Sequence, residues 1–157
     1  MDFLYKTHKE LLILLVEHKV DFMLIGGYSV IYYGYNRGTG DLDLWLMPNN
    51  QNKIKLLKAL RIFGIKPLDL NKLEKIDFTD TNMFFIGEVP EKIDFLTNVQ
   101  NVVWDEAIKN VRYLPFKNIR VSVVGYNDLI LMKIASDRLK DKADVEELQK
   151  IRKFRKS

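Results

Sequence analysis

Through residues 41–46, DLDLWL, apolar and polar positions alternate without a break. A strand there sends Leu42, Leu44 and Leu46 to one face and Asp41, Asp43 and Trp45 to the other. Upstream, Leu4, Leu11, Leu12, Leu15 and Val16 recur at helical spacing and predict an amphipathic helix over residues 3–19. FMLI, 22–25, reads as a short buried strand running straight into Gly26-Gly27, and YSVIYYG as a helix closed by Gly34. A Gly-rich polar loop occupies 36–40, followed by the alternating strand at 41–47. A helix over 50–63 ends at Gly64. MFFIG (83–87) and KIDFLT (92–97) predict a hairpin around Glu88-Val89-Pro90-Glu91. A helix at about 104–110 precedes strands near 111–115 and 119–124. The chain closes with helices at 126–136 and 140–154, the last striped by Val145, Leu148 and Ile151. No linker, low-complexity tract or convincing repeat interrupts this order. Interleaved strands and helices predict one α/β (α+β) domain over 1–157, with a core at about 20–125 and C-terminal helices at about 126–156.

Composition narrows the chemistry. The 157 residues are 47% hydrophobic, enough to close a core unaided, and include no cysteine, so neither a disulfide framework nor a thiolate metal site is available. His8 and His18 are the only imidazoles and both sit in the first helical stretch, which argues against a zinc enzyme. MDFLYKTHKE does not resemble a signal peptide, and the longest apolar run, LLILLV, is too short to span a bilayer. The expectation is a soluble, cytoplasmic protein with no membrane partner. The net charge of +4 is concentrated: Lys150, Arg152, Lys153, Arg155 and Lys156 lie in the last eight positions, leaving 20 basic against 21 acidic residues elsewhere. Such an end attracts nucleic acid, but it equally suits the C-terminus of a solvated helix.

Asp41 and Asp43 are the anomaly. Like charges on one strand face repel, and these stand roughly 7 Å apart at the Cα level. A divalent cation would reverse the sign of that cost. Mg²⁺ takes carboxylate oxygens and leaves room for water and phosphate, and two such ions can clamp the attacking and leaving oxygens of a phosphoryl displacement. Asp-x-Asp alone is weak evidence, because solvated pairs are common and glycosyltransferases use the same pattern. Gly26-Gly27 adds to it, since glycine lets an anion approach the main chain at a helix start. A tight strand-to-helix turn would need the same two glycines.

GGYSVIYYGYNRGTGDLDLWL, residues 26–46, resembles the signature of the polymerase-β-like nucleotidyltransferase superfamily, in particular its small bacterial branch related to abortive-infection and toxin–antitoxin nucleotidyltransferases. Gly26, Gly27, Gly34, Arg37, Thr39, Asp41 and Asp43 occupy the places of that signature. FFIGEVPEKIDFLTNVQNVVWDEAIKNV resembles the strand pair carrying the family's third acid, here Asp94. DLILMKIASDRLKDKADVEEL is similar to its closing helices through Lys133, Arg138, Asp141 and Asp144. The resemblance covers about 25–150 and implies a mixed sheet flanked by helices. It also implies transfer of a nucleoside monophosphate from an NTP to an acceptor hydroxyl with release of pyrophosphate. Asp41, Asp43 and Asp94 would hold two Mg²⁺ ions (Mn²⁺ being the other candidate), and Asp94 would take the acceptor's proton. Gly26, Gly27, Arg37, Thr39 and Lys133 are the candidate substrate-binding residues.

Each assignment has a competitor. Asp77, in the other KIDF, rivals Asp94; Arg37 suits a surface loop as well as a phosphate; Thr39 suits a loop brace. Lys133 could pair with Asp137 one turn on, and Arg138, Asp141 and Asp144 have the spacing of a mutual structural network. Trp45 could flank a nucleobase but more commonly packs. Two departures from the pattern stand out: Gly27 replaces the usual serine, with Ser29 too far on to substitute, and Tyr33 precedes Gly34 where relatives often carry histidine. The acceptor stays open among a tRNA 3′ end, a protein hydroxyl and a small molecule, and a cognate antitoxin or a second copy could complete the site. The alternative to an enzyme is a non-catalytic nucleotide-binding or antitoxin-like module on the same fold. A glycosyltransferase of the Asp-x-Asp kind would need a longer chain.

Overall fold

A computed structural model describes residues 3–156. In chain order the elements are α1 (Lys6–Glu17), β1 (Phe22–Ile25), α2 (Gly26–Tyr32), β2 (Leu42–Leu46), α3 (Asn50–Phe63), α4 (Pro67–Glu74), β3 (Met83–Ile86), β4 (Ile93–Leu96), α5 (Trp104–Ala107), β5 (Arg112–Phe116), β6 (Ile119–Val123), α6 (Tyr126–Ile134) and α7 (Leu139–Lys156). The six strands form one mixed sheet in the order β3-β4-β2-β1-β6-β5, with β1/β6 and β2/β4 parallel and the remaining pairs antiparallel. Among the described residues no helix is long and apolar enough to cross a membrane.

The alternation of β2 assigns the two faces of the sheet. Leu42, Leu44 and Leu46 are fully buried with Leu11, Leu12 and Leu15 of α1 and Leu56 and Leu60 of α3. Trp45, on the opposite face, joins Met23, Ile25, Trp104, Leu129 and Leu148 in a second core under α5–α7. It meets Trp104 edge-on, with ring centroids 5.4 Å apart, so it is a packing residue. At roughly 25 cal/mol per Å² of apolar surface, buried aromatics of this size are leading contributors to such a core.

Local signals set the boundaries. Asn49 caps α3 by accepting from the Asn52 N–H, and Gly64, at φ +107°, ends it in the left-handed conformation. Helix α4 lies in a stretch, 65–82, for which the apolar pattern predicts no element. Proline at its first turn starts it, and only Leu70 and Leu73 are buried, too few to give a periodicity. The Lys53 ammonium, 2.7 Å from the Glu74 and Ile76 carbonyls, caps its far end from α3. The first predicted helix starts later than expected, at Lys6, and the predicted helix at 104–110 splits into α5 and a 3-10 turn.

Candidate active site

Strand register brings the acids together. Because β2 and β4 run parallel with Asp43 opposite Asp94, two carboxylates 51 positions apart in sequence become cross-strand neighbours on the polar face. Antiparallel pairing of β1 with β2 places Ile25 opposite Asp43, so Gly26, the next residue, meets the same carboxylate. Asp41 immediately precedes β2. All three acids line a cavity of about 590 Å³, with Gly26, Gly27, Arg37 and Thr39 on one wall and Lys133, Arg138 and Asp141 on another. Asp77 is elsewhere: it is exposed and accepts hydrogen bonds from Thr79 and Asn50.

The electrostatics of the three acids are unfavourable as they stand. Burial, then the facing Asp94 and the nearby Asp41, pushes the Asp43 carboxyl up to about 7, with Lys133 opposing. Asp94 is 4% exposed. Its Oδ1 lies 3.2 Å from the Lys92 ammonium, off the line of a hydrogen bond, and has no hydrogen-bond partner among the described residues. Among those residues no three carboxylates or imidazoles close on one point as a finished metal cage. What is present is a repelling pair, an orphaned oxygen, a third acid beside them and space in front: a donor set suited to a hard cation. Lys92 was not singled out from the sequence. Its position two residues before Asp94, and so on the same strand face, was the available signal.

The glycines have a steric reason that comes before any ligand. A Cβ on Gly26 would overlap the Asp43 carboxylate, and one on Gly27 would overlap the Thr39 side chain, so β2 and its preceding loop lie directly on the start of α2. Gly26 also sits at φ +68°. Gly26→Ala is therefore expected to lose about 1–2 kcal/mol from left-handed backbone strain, to displace Asp43 and to lower activity along with stability. Paired thermal melts and transfer assays check this, and a variant of wild-type stability and rate would refute the packing argument. Ser29 donates to the Gly26 carbonyl at 2.6 Å, inside its own helix. Tyr33 donates to the Val124 carbonyl at 2.6 Å and packs edge-on against Tyr32 and Tyr126, a bracing role.

Arg37 and Lys133 face the cavity, but their hydrogen bonds run to acids of α7. Arg37 grips both Asp144 oxygens, at 2.7 and 2.8 Å, and the Gly38 carbonyl at 2.9 Å. Lys133 is 7% exposed and reaches Asp141 at 2.9 Å and Asp144 at 2.8 Å; Asp137 is not its partner. Arg138 adds the expected short-range pair to Asp141 at 2.8 Å. Three cations against two carboxylates leave one net positive charge on this cluster. His8, fully buried, braces the opposite side: Nε2 is 3.0 Å from the Glu91 carbonyl. A carbonyl only accepts, so Nε2 carries the hydrogen and Nδ1 is left to accept from the Tyr28 hydroxyl at 3.4 Å.

Burial pushes Asp141 up, but hydrogen bonds from Ser136, Lys133 and Arg138 and the Lys133 charge outweigh it, leaving about 2. A carboxyl lower in the folded state than its ordinary 3.8 stabilises the fold above that value and loses the contribution as pH falls toward 2. Asp144 is lowered for related reasons. Acid titration of the melting temperature should thus fall steeply between about pH 4 and 2, and Asp141→Asn should flatten the curve there. An unchanged slope in the variant would count against the network.

The sequence matches, over residues 4–154, the profile of a family described as "nucleotidyltransferase of unknown function (DUF6036)". Among solved structures, the fold is similar to that of the lincosamide antibiotic adenylyltransferase LnuA in its lincomycin-bound form. The TM-score is 0.57 with 16% identity, over 94% of this chain and 98% of that one, and at this identity the likeness concerns the fold. Comparison with curated proteins found no match.

Proposed function

The chain belongs to this nucleotidyltransferase family, with its polymerase-β-like fold, and from that premise we propose that it transfers a nucleoside monophosphate from an NTP to an acceptor hydroxyl, releasing pyrophosphate. The carrying observation is the cross-strand pair Asp43 and Asp94 in the cavity wall, beside Asp41 and directly against Gly26. In this reading Asp41, Asp43 and Asp94 hold two Mg²⁺ or Mn²⁺ ions, whose charge would neutralise the phosphoryl oxygens. Gly26 and Gly27 line the same cavity and, having no side chain, let Asp43 and Thr39 lie directly against the start of α2, where the triphosphate would enter. The net positive cluster of Arg37, Lys133 and Arg138 with Asp141 and Asp144 favours the same anion, while Arg37 and Thr39 hold the loop that carries Asp41. As the acceptor oxygen bonds to the α-phosphorus and the bond to pyrophosphate breaks, the buried Asp94 carboxylate, with Lys92 beside it, takes the hydroxyl proton.

Thermal unfolding with each of the four NTPs, with and without Mg²⁺, tests the proposal. A nucleotide at a hundred times its dissociation constant stabilises by about 2.7 kcal/mol, a rise of roughly 5–10 °C for a domain of this size. The expected result is a Mg²⁺-dependent rise with at least one NTP. No rise with any of them would remove the main support for an enzyme.

A further inference from the structure

A second concavity, of about 560 Å³, lies between α7, the start of α6 and the turn before β5. Its lining includes Lys109, Arg112, Arg152 and Arg155, and no carboxylate contributes to it among the described residues. Lys109 is partly neutralised by Glu106 at 3.5 Å, so the three guanidinium groups carry the field. Arg152 lies over the Tyr126 ring at 4.4 Å and donates to Asn127 at 3.0 Å, which fixes its plane while leaving it exposed. Arg155 packs over Gly34, where a Cβ would come within 2.9 Å of its guanidinium. Neither Arg112 nor Arg155 has a carboxylate partner among the described residues.

We propose that this groove binds the phosphate backbone of a single-stranded nucleic acid. Three points favour a polyanion over a small anion. The cations are spread along a wall instead of converging on one point. A third concavity, sharing Tyr126, Asn127 and Arg152, extends the surface with a more apolar floor. And α7 connects the groove to the catalytic cavity: Asp144, Leu148, Ile151 and Arg155 follow one helix face, so the distance from the Arg37 clamp to Arg155 is roughly 16 Å. Arginine stacked on tyrosine beside backbone-tracking cations is the pattern that holds single strands without reading sequence. A strand bound here has its end directed along α7 to the acids; that it serves as the acceptor rests on the transfer reading, whereas the binding itself does not.

The test is fluorescence anisotropy of the full chain with a 5′-labelled 20-nucleotide single-stranded RNA, without NTP or divalent metal, over a range of KCl. Wild type should bind with a steep salt dependence. The exposed triple variant Arg112→Ala/Arg152→Ala/Arg155→Ala should bind at least about tenfold more weakly, its log–log salt slope shallower by about 2. Arg152→Lys, which keeps the charge and alters the stack, should fall between the two. No binding, equal binding by the triple variant, or displacement of the RNA by equimolar inorganic triphosphate would each overturn the proposal. A protein that binds RNA in this way but gives no NTP-dependent thermal shift would sink the transfer reading and leave the groove standing.

Discussion

Asp43→Asn is expected to lower nucleotidyl transfer by at least about a thousandfold, roughly 4 kcal/mol of transition-state stabilisation, without lowering the melting temperature of the metal-free protein. The two halves have one cause. Burial and the neighbouring Asp94 and Asp41 hold the Asp43 carboxyl near 7, so its charge opposes the fold unless a cation is present. Asparagine keeps the shape, removes the repulsion and cannot replace an anionic ligand. Stability should therefore be unchanged or higher while Mg²⁺-dependent NTP binding disappears. Transfer of label from α-³²P NTPs, set beside calorimetry in EDTA, reads both. If activity and stability fell together, Asp43 would be a structural residue and the reading of the site would be wrong.

Lys133→Met should do the reverse and strike the fold. It leaves Asp141 and Asp144, 3% and 0% exposed, facing each other without the ammonium between them. Breaking a buried pair by removing one partner costs about 3–5 kcal/mol, which at this chain length is a drop of roughly 6–20 °C. Arg37 and Arg138 retain one acid each and set the lower end of that range. Adding Asp141→Asn should recover part of the loss, a non-additivity that a double-mutant cycle measures. A Lys133→Met protein melting like wild type would show the network to be ornamental.

The contrast between these two variants shows what could be read before the fold was known. The face assignment of Leu42, Asp43, Leu44 and Trp45 was legible because a strand has a period of two and needs no partner to express it. Asp94 was legible through its resemblance to a family pattern, and its pairing with Asp43 required the parallel register. Helix α4 was invisible, since two buried leucines in eight residues make no stripe. The partners of Lys133 were missed for a geometric reason. A helix would have put Asp137 one turn on, but α6 stops at Ile134 and the chain turns before α7 begins at Leu139, which brings Asp141 and Asp144 over the ammonium instead. The likeness of Arg37 to a phosphate ligand concealed a clamp on Asp144, 107 residues away, which no local pattern encodes.

That clamp also sets an order of events during synthesis. The loop bearing Asp41 leaves the ribosome early, but the carboxylate that anchors it through Arg37 belongs to α7 and is translated 107 residues later. Contacts of such long sequence separation form late in folding. Until α7 docks, Arg37 and Lys133 lack their buried counter-charges and Asp41 lacks its fixed position. The site is therefore completed from two ends of the sequence at once, and on the transfer reading no segment that stops short of α7 carries it whole.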